Sequence, residues 1–219
     1  MRGYQMEENL IKMRKQIEDH LFTLECEGTL VNQGKWILDV IEEEYYKVDI
    51  LEENFKMQIG FITLKFKKED NEVKIITPDL TKNPFNDYTY NISLFLILQL
   101  QQNDIIKKLQ RITAENIAFD DKIKVYKDCK NKDNFFLIRD SYNTKNYSGW
   151  LIDFLNDDGT RNYHSDEEFE DMYVYEVLKF RPDLVKLLSL PKGYRVAIIN
   201  NEIKQIVTGD NQFAYLKSN

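Results

Sequence analysis

The sequence predicts an α+β protein made of two small subdomains, each an antiparallel or mixed β-sheet covered by helices. Three observations support this. Helical and strand-like hydrophobic patterns are interspersed along the 219 residues, hydrophobic residues make up 42% of the chain, and a polar stretch interrupts the patterns near the middle. We place a boundary in that stretch, residues 104–120. This gives an N-terminal α+β region, residues 1–119, and a C-terminal domain, residues 120–219.

The first element predicted is a helix over residues 7–24. Leu10, Met13, Ile17 and Leu21 recur at three- and four-residue spacing, with charged residues between them. This spacing places apolar side chains on one face of a helix.

A hairpin comes next. Residues 57–66 alternate between apolar and polar, with a slip of phase at residues 61 and 62 that is typical of a β-bulge or of a strand with two partly buried faces. A charged turn follows, and residues 72–77 form the return strand. This is the clearest hairpin that the sequence predicts.

A second helix is expected over residues 91–109, where an apolar run begins directly after Asn91, a residue suited to capping a helix. The run is apolar nearly all round, so we expect this helix to be buried. The apolar segment 36–41 fits either a helix or a strand.

The C-terminal domain begins with three predicted strands, residues 122–126, 135–139 and 150–154, followed by a turn at residues 156–159. Ser165 with Glu168 matches a capping box and predicts a helix that begins there.

That helix should end at Pro182, because proline does not continue a helix. A C-terminal hairpin then joins residues 194–199 to 203–207 through Asn200 and Asn201. Pro191 and Gly193 are expected to shape the turn that leads into it.

The charge of the chain argues against nucleic-acid binding. The formal net charge is −7, whereas affinity for nucleic acids comes largely from neutralising phosphates. The longest apolar block, residues 92–100, is shorter than the roughly 20 residues that a membrane helix needs. Cys26 and Cys129 are far apart and neither belongs to a CxxC motif. We therefore expect a cytoplasmic protein with reduced thiols, without nucleic-acid or membrane partners.

We expect no catalytic residues, no cofactor and no metal site. The two histidines, His20 and His164, are separated by more than half of the chain, and zinc needs three or four closely spaced Cys or His ligands. P-loop, GxSxG and GxGxxG motifs are absent from the sequence.

Several C-terminal segments, taken in order, resemble the Imm33 immunity-protein family of bacteria. We call them the motif segments: Ser148-Gly149-Trp150, the Asp-rich turn, the acidic stretch after Ser165, Pro182-Asp183-Leu184, Leu187-Leu188 and Pro191-Lys192-Gly193-Tyr194. The resemblance covers roughly residues 121–207.

The resemblance implies an immunity protein of a polymorphic toxin system, which binds a cognate protein toxin and neutralises it by direct occlusion. A basic nuclease is one candidate toxin, because an acidic inhibitor can plug a basic substrate cleft. The candidate contact residues are an aromatic side chain and seven carboxylates: Trp150, Asp153, Asp157, Asp158, Asp166, Glu167, Glu170 and Asp171.

Each candidate also has a purely structural interpretation. Trp150 fits a core residue as well as a partly exposed anchor. The carboxylates after Ser165 fit the N-terminus of a solvated helix as well as a contact face. Two other functions stay open, a non-catalytic adaptor with a peptide-binding groove and a hydrolase that uses a carboxylate pair.

Overall fold

A computed structural model describes residues 9–109, 112–140, 146–161 and 164–214. The chain divides into two compact units, Met1–Gln99 and Leu100–Asn219. One sheet has six strands and the other has seven, and helices accompany both. This confirms the predicted α+β class with two subdomains. The boundary expected after residue 119 stays a prediction of where the C-terminal domain begins.

The N-terminal unit holds a mixed sheet in the order β1-β2-β5-β4-β3, with β6 paired to β5. The pairing of β2 with β5 is parallel, and the other pairings are antiparallel. Its elements are β1 (Leu10–Ile17), β2 (His20–Glu27), α1 (Val31–Tyr45), β3 (Met57–Ile59), β4 (Ile62–Glu69), β5 (Glu72–Pro78), β6 (Tyr88–Thr89) and the start of α2 (Ser93–Leu109).

The helix expected over residues 7–24 is wrong, because the described part of this segment is the β1–β2 hairpin. Residues 7 and 8 lie outside the described residues. Met13 and Ile17 are both buried, and a four-residue spacing puts two side chains on one face of a strand as well as of a helix. Glu18 takes a φ of 47° in the two-residue turn, which closes the hairpin.

Residues 57–66 form two strands and not one bulged strand. The change of phase is a tight turn between β3 and β4, where Gly60 adopts a φ of 58°. The predicted hairpin with the strand over residues 72–77 is confirmed as β4–β5. The second helix is also confirmed, and Asn91 Oδ1 accepts a 2.9 Å hydrogen bond from the Ser93 amide at its start. The ambiguous segment 36–41 lies within α1.

The C-terminal unit holds a mixed sheet in the order β10-β7-β9-β8-β11-β12-β13, in which only β7 and β9 pair in parallel. The hairpin at Asn200 and Asn201 is confirmed, and both residues have positive φ. The elements are β7 (Lys122–Tyr126), β8 (Phe135–Arg139), β9 (Tyr147–Phe154), β10 (Phe169–Tyr173), α3 (Val174–Phe180), α4 (Pro182–Val185), β11 (Arg195–Ile199), β12 (Glu202–Val207) and β13 (Phe213–Ala214).

The helix expected to begin at Ser165 is wrong, although the capping box itself is present. The Ser165 amide donates a 2.7 Å hydrogen bond to Glu168 Oε2, but the box closes only a 3₁₀ turn. The chain then runs as β10 along the edge of β7, so ladder hydrogen bonds replace helical ones. A helix follows only at α3, where the Tyr173 amide donates to Glu176 Oε2.

The seven-stranded sheet has two faces of different character. The inner face is buried against the segment 180–190, since the Trp150 indole donates to Leu188 O and Arg181 lies 4.0 Å from the Phe135 ring centroid. Its residues are Ile123, Val125, Phe135, Leu137, Arg139, Trp150, Ile152, Val196 and Ile198. The outer face is in partial contact with solvent, and its residues include Lys122, Lys124, Phe136, Ile138, Leu151, Arg195 and Ala197.

In the described part of the chain, no helix has the length and apolar content to span a bilayer.

Candidate functional site

Trp150 lies in the core of the C-terminal unit. Its side chain is among the largest fully buried ones, with 2% exposure, and the indole Nε1 donates a 2.9 Å hydrogen bond to Leu188 O. Of the two sequence-based interpretations, the structure therefore supports the core residue. In this conformation the indole offers no surface to a partner.

A buried arginine next to Trp150 hydrogen-bonds to Ser148 of the motif segments and to two other stretches of backbone. Arg139 is 4% exposed, and its guanidinium centre lies 5.9 Å from the Trp150 ring centroid. Its Nε donates to Ser148 O at 3.1 Å, and its Nη1 donates to Glu115 O at 3.1 Å and Leu190 O at 2.6 Å. Burial lowers the pKa of Arg139. We call these contacts the Arg139 cluster.

Two glycines of the motif segments form backbone hydrogen bonds to Arg139 and to the residue after it. Gly149 has a φ of 78°, and its carbonyl accepts a 2.8 Å hydrogen bond from the Asp140 amide. Gly193 has a φ of 83°, and its amide donates to Arg139 O at 2.8 Å. A Cβ at Gly193 would lie 2.9 Å from the Gly209 Cα. Both positions favour glycine, so these motif segments build the scaffold.

Sequence reasoning missed Arg139, although a weak signal was available. An arginine closes the apolar strand β8, in phase with the buried residues Phe135 and Leu137. A charge on the buried face of a strand needs partners, since an unpaired buried charge is costly. The partners are backbone carbonyls of other segments and the Glu115 carboxylate, whose Oε2 lies 3.7 Å from Arg139 Nη2, and the sequence alone does not bring these groups together.

Asp153 is not part of the exposed acidic surface that we expected. It is fully buried, with 0% exposure, because Arg161 and His164 cover it. Its Oδ2 accepts a 2.9 Å hydrogen bond from Arg161 Nε, and its Oδ1 accepts one of 2.8 Å from the Phe154 amide. The carboxylate is thus compensated within the domain and serves its packing.

His164 sits in a loop beside Asp153. Its side chain is 7% exposed, and its ring centroid lies 4.1 Å from that of Tyr126. Its Nε2 is 3.5 Å from Asp153 Oδ1 but forms no hydrogen bond with a described residue, and its Nδ1 is 3.3 Å from Glu168 Oε1. Among the described residues, no group of three His, Cys, Asp or Glu is placed to hold a metal ion.

The other six candidate carboxylates lie at the surface, and we call them the acidic rim. Three have partners: Asp158 accepts from the Thr160 amide and hydroxyl, Glu170 pairs with Lys130, and Asp171 accepts from the Tyr147 hydroxyl. The other three have no ion pair with any described residue. The rim consists of Asp157, Asp158, Asp166, Glu167, Glu170 and Asp171.

The topology of the sheet gathers the rim at one end and along one edge. β7 and β9 are parallel, so their carboxyl ends meet, and the antiparallel β10 begins at that same end. Asp157 and Asp158 follow β9, whereas Asp166 and Glu167 precede β10. Glu170 and Asp171 continue along β10, the edge strand. The carboxylates are therefore neighbours, although they do not start a helix.

Lysines accompany this rim. The Lys127 ammonium donates to Glu167 O, and Lys130 lies 3.0 Å from Glu170. The rim is therefore more mixed in charge than the sequence suggested. The rim carboxylates that form no ion pair with a described residue are Asp157, Asp166 and Glu167.

The N-terminal unit carries an open groove of about 530 Å³. A hydrolase of the kind left open above needs two converging carboxylates. The groove contributes one, Asp49. Its lining is otherwise aromatic, aliphatic and basic: His20, Tyr45, Tyr46, Lys47, Val48, Ile50, Leu51 and Lys68.

Comparison with known proteins gives one match. Residues 101–209 match the family model of the Imm33-like domain, which confirms the resemblance inferred from the motif segments. The matched range contains the Arg139 cluster and the whole acidic rim. No curated protein and no solved structure matches the chain.

Proposed function

Because residues 101–209 are an Imm33-like domain, we propose that this protein is a bacterial immunity protein that binds a cognate toxin and blocks it by direct contact. The family match is the observation that carries the proposal. The mechanism is occlusion of the toxin's working surface, without bond making or breaking by the immunity protein. We place the protein in the cytoplasm, where its two free thiols, Cys26 and Cys129, would stay reduced.

We propose that the acidic rim is part of the contact surface. Asp157, Asp166 and Glu167 are exposed and lack ion-pair partners among the described residues, so their charge is available to a second molecule. Carboxylates grouped at one end of a sheet steer a basic partner and speed its association. A toxin with a basic substrate cleft, such as a nuclease, fits this chemistry.

The first test is direct neutralisation. The purified full chain is titrated into the toxin encoded by the adjacent gene, and the toxin's activity is measured at each ratio. We expect activity to disappear at near-equal molar amounts, while a toxin from an unrelated system stays active. A toxin that keeps its activity in a large excess of folded protein would refute the proposal and favour the adaptor alternative.

The second test addresses the acidic rim. In the double variant Asp166→Lys, Glu167→Lys, we expect the association rate constant to fall about tenfold and its salt dependence to weaken, with a smaller change in dissociation. Stopped-flow or surface-based kinetics at several ionic strengths would measure this. Glu202→Lys is the matched control, because Glu202 is 72% exposed on β12 and outside the rim. Equal rate constants for all three proteins would contradict the role of the rim.

A further inference from the structure

The outer face of the C-terminal sheet carries positive charge in a chain whose net charge is −7. Lys124 has no ion pair with any described residue. Lys122 lies over the Tyr147 ring at 5.5 Å, and Arg195 donates to the Asn211 side-chain oxygen. These three cations therefore have no carboxylate partner in the described part of the chain.

Strand register arranges two of these cations in a row with two aliphatic residues. Lys124 of β7 is opposite Leu151 of β9, Leu151 is opposite Ile138 of β8, and Ile138 is opposite Arg195 of β11. We call these four residues the outer row. With strands roughly 4.8 Å apart, the two cations stand roughly 14 Å apart on either side of the aliphatic pair.

The outer row is in contact with solvent. All four side chains are half-buried, while their neighbours on the same strands, such as Val125, Leu137 and Ile152, are fully buried on the inner face. An apolar centre between charged flanks is the usual composition of a protein–protein interface.

The charges of the row define the partner as anionic. Asp171 is opposite Lys124 in register, but it accepts a hydrogen bond from Tyr147 and forms no ion pair with that lysine. The centre of the row is aliphatic, whereas single-stranded nucleic acids bind through aromatic stacking. The nearby Phe136 ring is already covered by Arg161 at 4.7 Å. A protein surface therefore fits the row better than a nucleic acid does.

We propose that the outer row docks a protein surface that presents carboxylates on both sides of an apolar patch. The proposal rests on the proposed function, because we identify this partner with the cognate toxin. The toxin would then contact the domain through two zones, its basic part on the acidic rim and its acidic part on the outer row. Two zones of opposite charge set the orientation of the bound toxin and also speed its association, because a rotated toxin would meet like charges.

The test uses the purified full chain and the toxin encoded by the adjacent gene. In the double variant Lys124→Glu, Arg195→Glu, we expect the dissociation constant for the toxin to rise at least tenfold. Lys179→Glu is the matched control, because Lys179 is an exposed cation on α3 and not on a strand of the sheet. Its affinity should equal that of the wild type. Unfolding midpoints verify that each variant is folded.

A milder pair keeps the test decisive if the charge reversal unfolds the domain. Lys124→Gln, Arg195→Gln removes the charges without adding like ones, and it should still weaken binding by severalfold. If the wild type fails to neutralise the toxin, the proposed function itself is wrong. If the wild type neutralises the toxin and the folded outer-row variants do so equally well, only the outer-row proposal is overturned. Tight binding of a labelled oligonucleotide that these variants lose would also overturn it, in favour of a nucleic-acid surface.

Discussion

The inner and outer faces of the C-terminal sheet are built from alternating residues of the same strands, yet they differ in burial and in the partners of their charged side chains. On the inner face, Arg139 and Trp150 are buried and hydrogen-bond to carbonyl groups of distant segments. On the outer face, Lys124 and Arg195 keep charges without carboxylate partners among the described residues. The motif residue Trp150 and its neighbour Arg139 therefore hold the scaffold, whereas the cations of the outer face keep charges that the fold does not use.

The largest expected effect comes from the inner face. Arg139→Met should lower the free energy of unfolding by about 3 kcal/mol or more, because three carbonyl oxygens lose their donor. Urea unfolding followed by circular dichroism would measure the change. Lys124→Met is the control on the outer face, with an expected change within about 0.5 kcal/mol. Equal losses for both variants would remove the distinction between the faces.

A smaller effect is expected for Trp150→Phe. The variant keeps an aromatic ring but loses the indole donor to Leu188 O, which leaves a buried carbonyl unpaired and a small cavity. We expect a loss of about 1–3 kcal/mol by the same unfolding measurement. Trp36→Phe on α1 is the matched control, since Trp36 is 45% exposed. A Trp150 variant as stable as the control would mean that the indole hydrogen bond contributes little.

The smallest effect on stability is expected for Glu168, which lies next to the acidic rim in the sequence. Glu168 is partly exposed, and the Ser165 amide, followed by its hydroxyl, lowers the pKa of Glu168 by stabilising the carboxylate. The contribution of ionised Glu168 to the stability of the folded protein is therefore complete above the ordinary glutamate pKa of about 4.3. It is lost as the pH falls through the lowered pKa.

Comparison of wild type with Glu168→Gln across pH 2–7 would check this. We expect the stability difference to be largest near neutral pH, smaller than for either inner-face variant, and to shrink as the pH falls below about 4. A difference that grows on acidification would reverse the assigned sign.

Elements with local signals could be predicted from the sequence. β7 follows from the alternation of polar and apolar residues, β8 from a short apolar run, and the β11–β12 hairpin from Asn200 and Asn201 in its turn. The β1–β2 hairpin was not predicted, because the spacing of Met13 and Ile17 suits one face of a strand as well as one face of a helix. The helix expected at Ser165 failed because its residues find a partner strand that is distant in sequence.

The candidate site divides in the same way. The rim carboxylates are at the surface, as expected for Asp and Glu, which are rarely buried in full. Trp150 and Ile152 are two residues apart on β9 and therefore point to the same, buried face. This follows from the spacing of the two apolar residues in the sequence. Asp153 belongs to the outer face, yet Arg161 and His164 bury it. Such a covering loop depends on tertiary contacts that no local pattern predicts.

Covalent labelling of carboxylates, read by mass spectrometry with and without the bound toxin, would show whether the toxin covers the acidic rim. We expect Asp157, Asp166 and Glu167 to lose reactivity in the complex, while Glu202 on β12 labels equally in both states. Unchanged labelling of the rim in a complex that still silences the toxin would show that the partner sits elsewhere.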